Sequence, residues 1–396
     1  MKSGMSSQYS HAVARHCEHT QNKIHTVAEL LLLSGQFRPI KTENISSVEV
    51  SIASAREQIN SSLNIILEIV NDLTKIMHDI KTRWKVICDY LYRMSDAVTV
   101  LVELSYFAVY QYLGLNKPES LEAPLIDKYA TSYAGLEIKL SCIQLKRARM
   151  EELSSSFIMD ICSNISKYIS VLTDNCRGAS ENGPDTATKD QFKLGIKSVT
   201  CAAGSLIASI KCYKSERSPR YHTRVVTFCE PVLAASNALV SLATEDEFID
   251  HGRELSPEEV EIQMAIFGPC MNIVSGCVQI CKSLRDYTYD PGNSHYVHKT
   301  RSCQSCIVKS TKHLKHELQK HLHMDFQMRG VSPSKGDNYF RDVDSSDENQ
   351  HDLSPLGGSL PLQYAAENHG MEGNYGKDLS PRSTVTDVSL ATSISR

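Results

Sequence analysis

The sequence predicts an all-α protein built from antiparallel helical bundles. Three observations carry this. Apolar residues recur near a 3.6-residue period in nine segments, and strand-like alternation is almost absent. The segments are long and the breaks between them short, the pattern of helices that fold back on their neighbours. Hydrophobic residues make up 41% of the 396 but aromatic ones only 7%, with a single tryptophan, Trp84. That balance suits Leu, Ile, Val and Ala packed between helices.

The first segment covers 15–34 and ends in four consecutive leucines, stopped by Gly35 and Pro39. The second, 46–81, carries Ile52, Ile59, Leu63, Ile66, Val70 and Leu73 on one face. The third, 84–113, is broken by Asn116-Lys117-Pro118. The fourth spans 126–149. The fifth spans 155–177, with Gly178 where a C-terminal cap is expected. A polar loop, SENGPDTATK, follows, and Thr188 or Asp190 can cap the sixth helix, 190–211. The seventh runs 219–243. Ser256-Pro257-Glu258-Glu259 opens the eighth with a cap, a first-turn proline and a glutamate three residues on. It ends near Tyr289, and the ninth spans 294–323.

Beyond 325 the chain is rich in Ser, Gly, Asp and Asn, which cannot offset the entropy of folding, so disorder is expected. Ser332-Pro333, Ser354-Pro355 and Ser380-Pro381 there resemble sites for proline-directed kinases. The length suggests two or three domains. A net charge of −4 gives no global argument for nucleic acid, so none is expected as a partner. The N-terminus lacks the apolar run of a signal peptide. The most membrane-like stretch, 94–116, carries Asp96 and Glu103 and reads as a buried bundle helix, so no membrane insertion is expected. The 13 cysteines then read as reduced, buried small hydrophobes of a cytoplasmic protein.

No motif signals catalysis or a cofactor: G-x-G-x-x-G, P-loop, G-x-S-x-G and H-E-x-x-H are all missing. Neither an enzyme nor a metal site is expected. His16-Cys17-Glu18-His19 is one His/Cys cluster. Cys303, Cys306, His313 and His316 form another, but only six residues separate Cys306 from His313 where a zinc finger has about twelve. On one helix these four spread along ~20 Å and cannot close a tetrahedron.

That leaves surfaces. On the sixth helix, Phe192, Ile196, Val199, Ala203, Leu206 and Ile210 form a core stripe. Lys193, Lys197, Thr200, Gly204, Ala208 and Lys211 form a second stripe about 100° away, small in the middle and basic at its ends. The wheel alone favours close packing against a neighbouring helix; a docked helix with acidic ends is the other reading. The fifth helix has its core on Phe157, Ile161, Ile165 and Leu172, and a small polar surround on Ser163, Ser166, Ser170 and Thr173. The seventh has an apolar stripe, Val225, Phe228, Val232, Ala235 and Leu239, wide enough for either full burial or a symmetric dimer contact.

VAELLLLSGQFRP, DNCRGAS, DQFKLGIKSV and PVLAASNALVSLATEDEFI, in this order, resemble talin rod bundles over about residues 13–325. The resemblance implies a four-helix bundle inserted into a five-helix bundle, nine helices in all. Residues 13–116 and 255–324 would form the outer bundle and 125–250 the insert. Residues 1–12 and the tail, 325–396, would be disordered. It further implies a non-enzymatic adaptor, cytoplasmic and associated with the actin cytoskeleton, that bundles filamentous actin as a homodimer and docks amphipathic LD-type helices of adaptor proteins. The LD groove would lie between helices five and six, with Phe157, Ser163, Ser170, Lys193, Lys197, Thr200, Gly204 and Ala208. This order of helices turns the slim face of the sixth helix outward. Val225, Phe228 and Val232 would pair two inserts. Lys211, Lys214, Arg217, Arg220 and Arg224 are the basic patch assigned to actin.

Overall fold

Short polar residues ahead of apolar runs start the helices. Asp127 accepts from the Ala130 N–H at 2.8 Å and Ser154 from the Phe157 N–H at 3.2 Å. Asp185 accepts from the Thr188 N–H at 2.8 Å. Ser256 and Glu259 close a reciprocal capping box, with Pro257 at the first turn. The computed structural model describes residues 2–34, 37–42, 45, 52–114, 126–249 and 252–328. Among these, nine α-helices occur: α1 (Lys2–Leu32), α2 (Ile52–Ile76), α3 (Ile80–Tyr112), α4 (Lys128–Arg147), α5 (Ser155–Asn182), α6 (Thr186–Ser215), α7 (Pro219–Ala243), α8 (Pro257–Tyr289) and α9 (Ser294–Met328).

Four boundaries differ from the sequence reading. The first twelve residues, expected to be disordered, are helical from Lys2, and Tyr9 and Ala12 are buried. Tyr9 starts the buried row Tyr9, Val13, Cys17, Ile24, hidden in the sequence by its Ser and Gln neighbours. α5 passes through Gly178 and stops at Gly183-Pro184, so Asp185, not Thr188 or Asp190, is the cap of α6. A 3-10 turn at Met77–Asp79 separates α2 from α3, and Arg83 is non-helical. α9 continues to Met328, so the backbone at 325–328 is helical; 329–396, with the three Ser-Pro sites, lies outside the described residues.

Two apolar cores organise the helices. α1, α2, α3, α8 and α9 enclose the first, around Ile24, Ile66, Leu91, Leu101, Ile273 and Leu314. α4 to α7 enclose the second, around Ile138, Ile165, Leu172, Phe192, Leu206 and Val232. α4 to α7 therefore form a four-helix bundle inserted between α3 and α8 of the five-helix bundle. Where the chain returns from the insert, Ile126 donates to the Phe248 carbonyl at 3.1 Å. Beside it Phe37 and Arg253 pair as an isolated bridge. The Phe37 ring stacks on Tyr106 at 4.9 Å, and the Tyr106 hydroxyl both accepts from and donates to the Arg38 backbone at 2.8 Å.

α4 is buried on two sides. Ala134 and Ile138 face the insert core, while Leu136 and Leu140 join the outer core against α1. Helices approach most closely at glycines. A Cβ on Gly276 would sit 2.6 Å from Ile307 Cγ1 on α9. Gly276→Ala is expected to destabilise the protein by about 1–3 kcal/mol, read as a lower urea midpoint. Gly204 on α6 has nothing within 4 Å of that position, so Gly204→Ala should shift stability upward by about 0.5–1 kcal/mol. A loss at Gly204 would mean that a helix lies over it.

Candidate functional site

The slim stripe of α6 faces solvent. Lys193, Lys197, Thr200, Gly204, Ala208 and Lys211 are all exposed, and the space above Gly204 is open. The opposite side of α6 meets α7, where a Cβ on Gly195 would lie 3.0 Å from Leu239. Toward α5, the Lys214 ammonium reaches Met159 Sδ at 3.2 Å and Arg217 donates to Ser155 Oγ at 3.2 Å. Met159, Ser163, Ser166 and Ser170 recur at helical spacing and are exposed, so they form the α5 wall of a shallow trough. Two of its four hydroxyls are satisfied at home: Thr200 Oγ1 donates to the Ile196 carbonyl at 2.9 Å and Ser170 Oγ to Asp174 at 3.2 Å. A ligand seated over these two strips few hydrogen bonds.

Phe157 is not part of this trough. It lies two residues before Met159, on the other side of α5, half-buried with the Arg15 guanidinium of α1 5.1 Å above its ring. Periodicity marks a ring as facing inward but does not say which neighbour it meets.

Val225 and Val232 do not form a dimer surface either. They are 2% and 0% exposed, inside the insert core. Phe228 is half-buried against that core. The outward face of α7 is instead Thr227, Pro231, Ala234, Ala238 and Ser241. α7 is apolar, with a mean hydropathy of 1.6 over its most apolar window, yet only 28% of that window is buried. α7 and α8 are both long and apolar enough to cross a membrane; in α8 the corresponding window is 61% buried in the protein. Of the 94–116 stretch, residues 94–112 form the second half of α3, with Glu103 buried and accepting from the Tyr129 hydroxyl at 2.8 Å.

All five residues of the basic patch are exposed, at the end of α6 and the start of α7. Arg224 lies over the Tyr221 ring at 5.3 Å. Arg147, near this end of the insert, pairs instead with Glu18 of α1.

That ion pair belongs to a charged seam between α1 and the insert, which the sequence did not reveal. Lys23 Nζ donates to Glu137 Oε1 at 2.8 Å and to Asp96 Oδ1 at 3.1 Å. Glu137 also accepts from Tyr133 at 3.0 Å and Asn164 at 3.2 Å. Burial alone would raise the Glu137 carboxyl; the Lys23 charge and the hydrogen bonds from Lys23 and Asn164 outweigh it and hold the group below its usual range. Arg15 lies 3.5 Å from Glu152, both nearly buried, and His11 lies 3.1 Å from the same carboxylate. No sequence signal joins these partners, which are up to 141 positions apart.

Among the described residues no group of three or more His, Cys, Asp and Glu could hold a metal. Burial pushes the thiols of Cys88, Cys176, Cys270 and Cys281 up to about 12, which makes them inert.

Part of the chain is similar to known proteins. Residues 57–246, from α2 to the turn after α7, match the family model of the talin IBS2B domain. Over that stretch the chain is talin rod-like. It is 25% identical over 282 residues to talin of Oscarella pearsei, covering 70% of this chain and 10% of that one. It is 24% identical over 202 residues to talin-1 of Gallus gallus and 22% over 199 to talin-2 of Homo sapiens, each covering 50% of this chain and 8% of the relative. The chain thus spans about a tenth or less of the length of the talins it matches. The stretch that matches the family model contains α4 to α7, and so the trough, the outward face of α7 and the basic patch together.

Proposed function

We propose that this chain is a non-enzymatic cytoplasmic adaptor of the actin cytoskeleton at sites of cell adhesion. It binds and bundles filamentous actin as a homodimer and docks LD-type amphipathic helices of partner proteins. The observation that supports the docking reading best is the open space above Gly204, between exposed lysines. A stripe with small residues in its middle lets a second helix approach closely, and lysines at its ends suit acidic residues on that helix. The revised trough consists of Lys193, Lys197, Thr200, Gly204 and Ala208 against Met159, Ser163 and Ser170.

Lys193→Glu with Lys197→Glu is expected to abolish binding of an acidic LD-type peptide, measured by fluorescence anisotropy, without moving the thermal melt. Both side chains are exposed, so surviving affinity would remove this face from the site.

Actin bundling rests on Lys211, Lys214, Arg217, Arg220 and Arg224, and on pairing through α7. A long apolar helix with most of that window unburied is suited to a second copy, and Ala234 and Ala238 let two such helices come close. A dimer carries two patches, and two weak contacts joined in one particle gain avidity. Ala234→Arg with Ala238→Arg is expected to give monomers by light scattering. Those monomers should pellet with filaments only at high speed, whereas the parent chain pellets bundles at low speed. A parent chain that is monomeric yet still docks LD-type helices would favour a peptide-binding scaffold without bundling activity.

A further inference from the structure

The exposed face of α9 is charged with one sign. His298, Arg301, Ser305, Lys309, Lys312, His316 and Lys320 recur at three- and four-residue steps, and all are exposed. They form one straight line of about 33 Å at the helical rise. Between 294 and 321 the chain has six Lys or Arg and a single carboxylate, Glu317. Glu317 is off this line, 8% exposed, with Lys320, His313 and His321 within 3.7 Å. Arg301, Lys309 and Lys312 form no ion pair among the described residues. An ordinary solvated helix mixes signs, as Asp174 with Arg177 and Asp190 with Lys193 do on the insert. Here a chain of net charge −4 gathers positive charge on one wall.

We propose that this face of α9 is an electrostatic docking surface for an anionic lipid bilayer. Four to eight basic residues on one helix face suffice for such attraction, at about 1 kcal/mol each. The shape of the surface favours a bilayer over a macromolecule of fixed form. The line is straight and carries no exposed Phe, Tyr or Trp, so it lacks the broad stacking platforms that bases use and the aromatic anchors of a protein interface. A fluid bilayer needs only charge density. Val308, at the edge, is the one large exposed apolar residue of α9 among those described, so the helix rests on headgroups without inserting. α9 packs on α2 and α8, whereas the insert leans on α1. The lipid face and the surfaces proposed for actin and LD helices are therefore on different bundles, and this inference does not depend on those proposals.

The test is vesicle co-sedimentation of the full chain with phosphatidylcholine alone and with added phosphatidylserine. Binding is expected only with phosphatidylserine and should weaken as salt rises. Arg301→Glu, Lys309→Glu and Lys312→Glu together should lower it about a hundredfold. Circular dichroism should show an unchanged melt, and the single variant Lys312→Gln should give a smaller loss. Absence of binding to phosphatidylserine vesicles would overturn the proposal. So would binding that the triple variant leaves intact, or a triple variant that loses filament binding while keeping lipid binding.

Discussion

Glu137→Leu is expected to destabilise the protein by about 3 kcal/mol or more, the largest single effect of any substitution in the seam between the bundles. The change leaves the Lys23 ammonium, 7% exposed, without its closest partner. Asp96 remains at 3.1 Å but is half-exposed and so better screened. Tyr133 and Asn164 lose an acceptor at the same time. Lys23→Met with Glu137→Leu should recover much of the loss, because replacing a buried pair by apolar groups removes two desolvation penalties together. A double-mutant cycle by urea denaturation checks this: additive losses would show that the two groups do not interact. The sign of the pH dependence follows from the direction of the shift. The Glu137 contribution is present above the unfolded carboxyl value and is lost as pH falls through the lower folded value.

The seam matters because it fixes the insert to the outer bundle through one helix. α1 supplies Arg15, Glu18 and Lys23, and the insert side supplies Glu152, Arg147 and Glu137. With two apolar rows of α4 buried on opposite sides, the insert is packed in place and not merely tethered by its two crossings.

The nine helices were legible because their signals are local, whereas the order of the two bundles came only with the resemblance to talin rod bundles. Apolar spacing and capping residues act over a few positions, and the slim stripe of α6 shows in the sequence as Thr200, Gly204 and Ala208 on one face. What failed was partner assignment. Phe157 and Val232 both occupy apolar rows, yet one meets Arg15 of another bundle and the other closes the insert core. Periodicity gives a residue's direction from its own axis; the identity of what lies there depends on how helices far apart in sequence are arranged. The charged seam was invisible for the same reason, since Lys and Glu in amphipathic helices read as solvated until a second helix covers them.

Acidification from about pH 7 to about pH 5 is expected to remove about 2 kcal/mol of stability through His19. It is half-buried on α1, but its Nδ1 is buried and has no hydrogen-bond partner. Burial disfavours the imidazolium and lowers the group to about 4; Glu137 opposes this, while Lys23, His16 and Arg15 reinforce it. The unfolded chain takes up its proton near 6.5, the folded chain only near 4, so the unfolded state binds more protons across that window and gains as pH falls. His16, lowered chiefly by burial, acts in the same direction. Glu137 gives way only at lower pH, below the ordinary carboxyl value, and so does not mask the effect. His19→Gln should flatten the dependence of the urea midpoint on pH between these limits, leaving the smaller slope of His16. An unchanged slope in the variant would place the acid sensitivity elsewhere. Because His19 and Glu137 belong to one cluster, the same titration reports on the seam: acid should loosen the contact between α1 and the insert before either apolar core gives way.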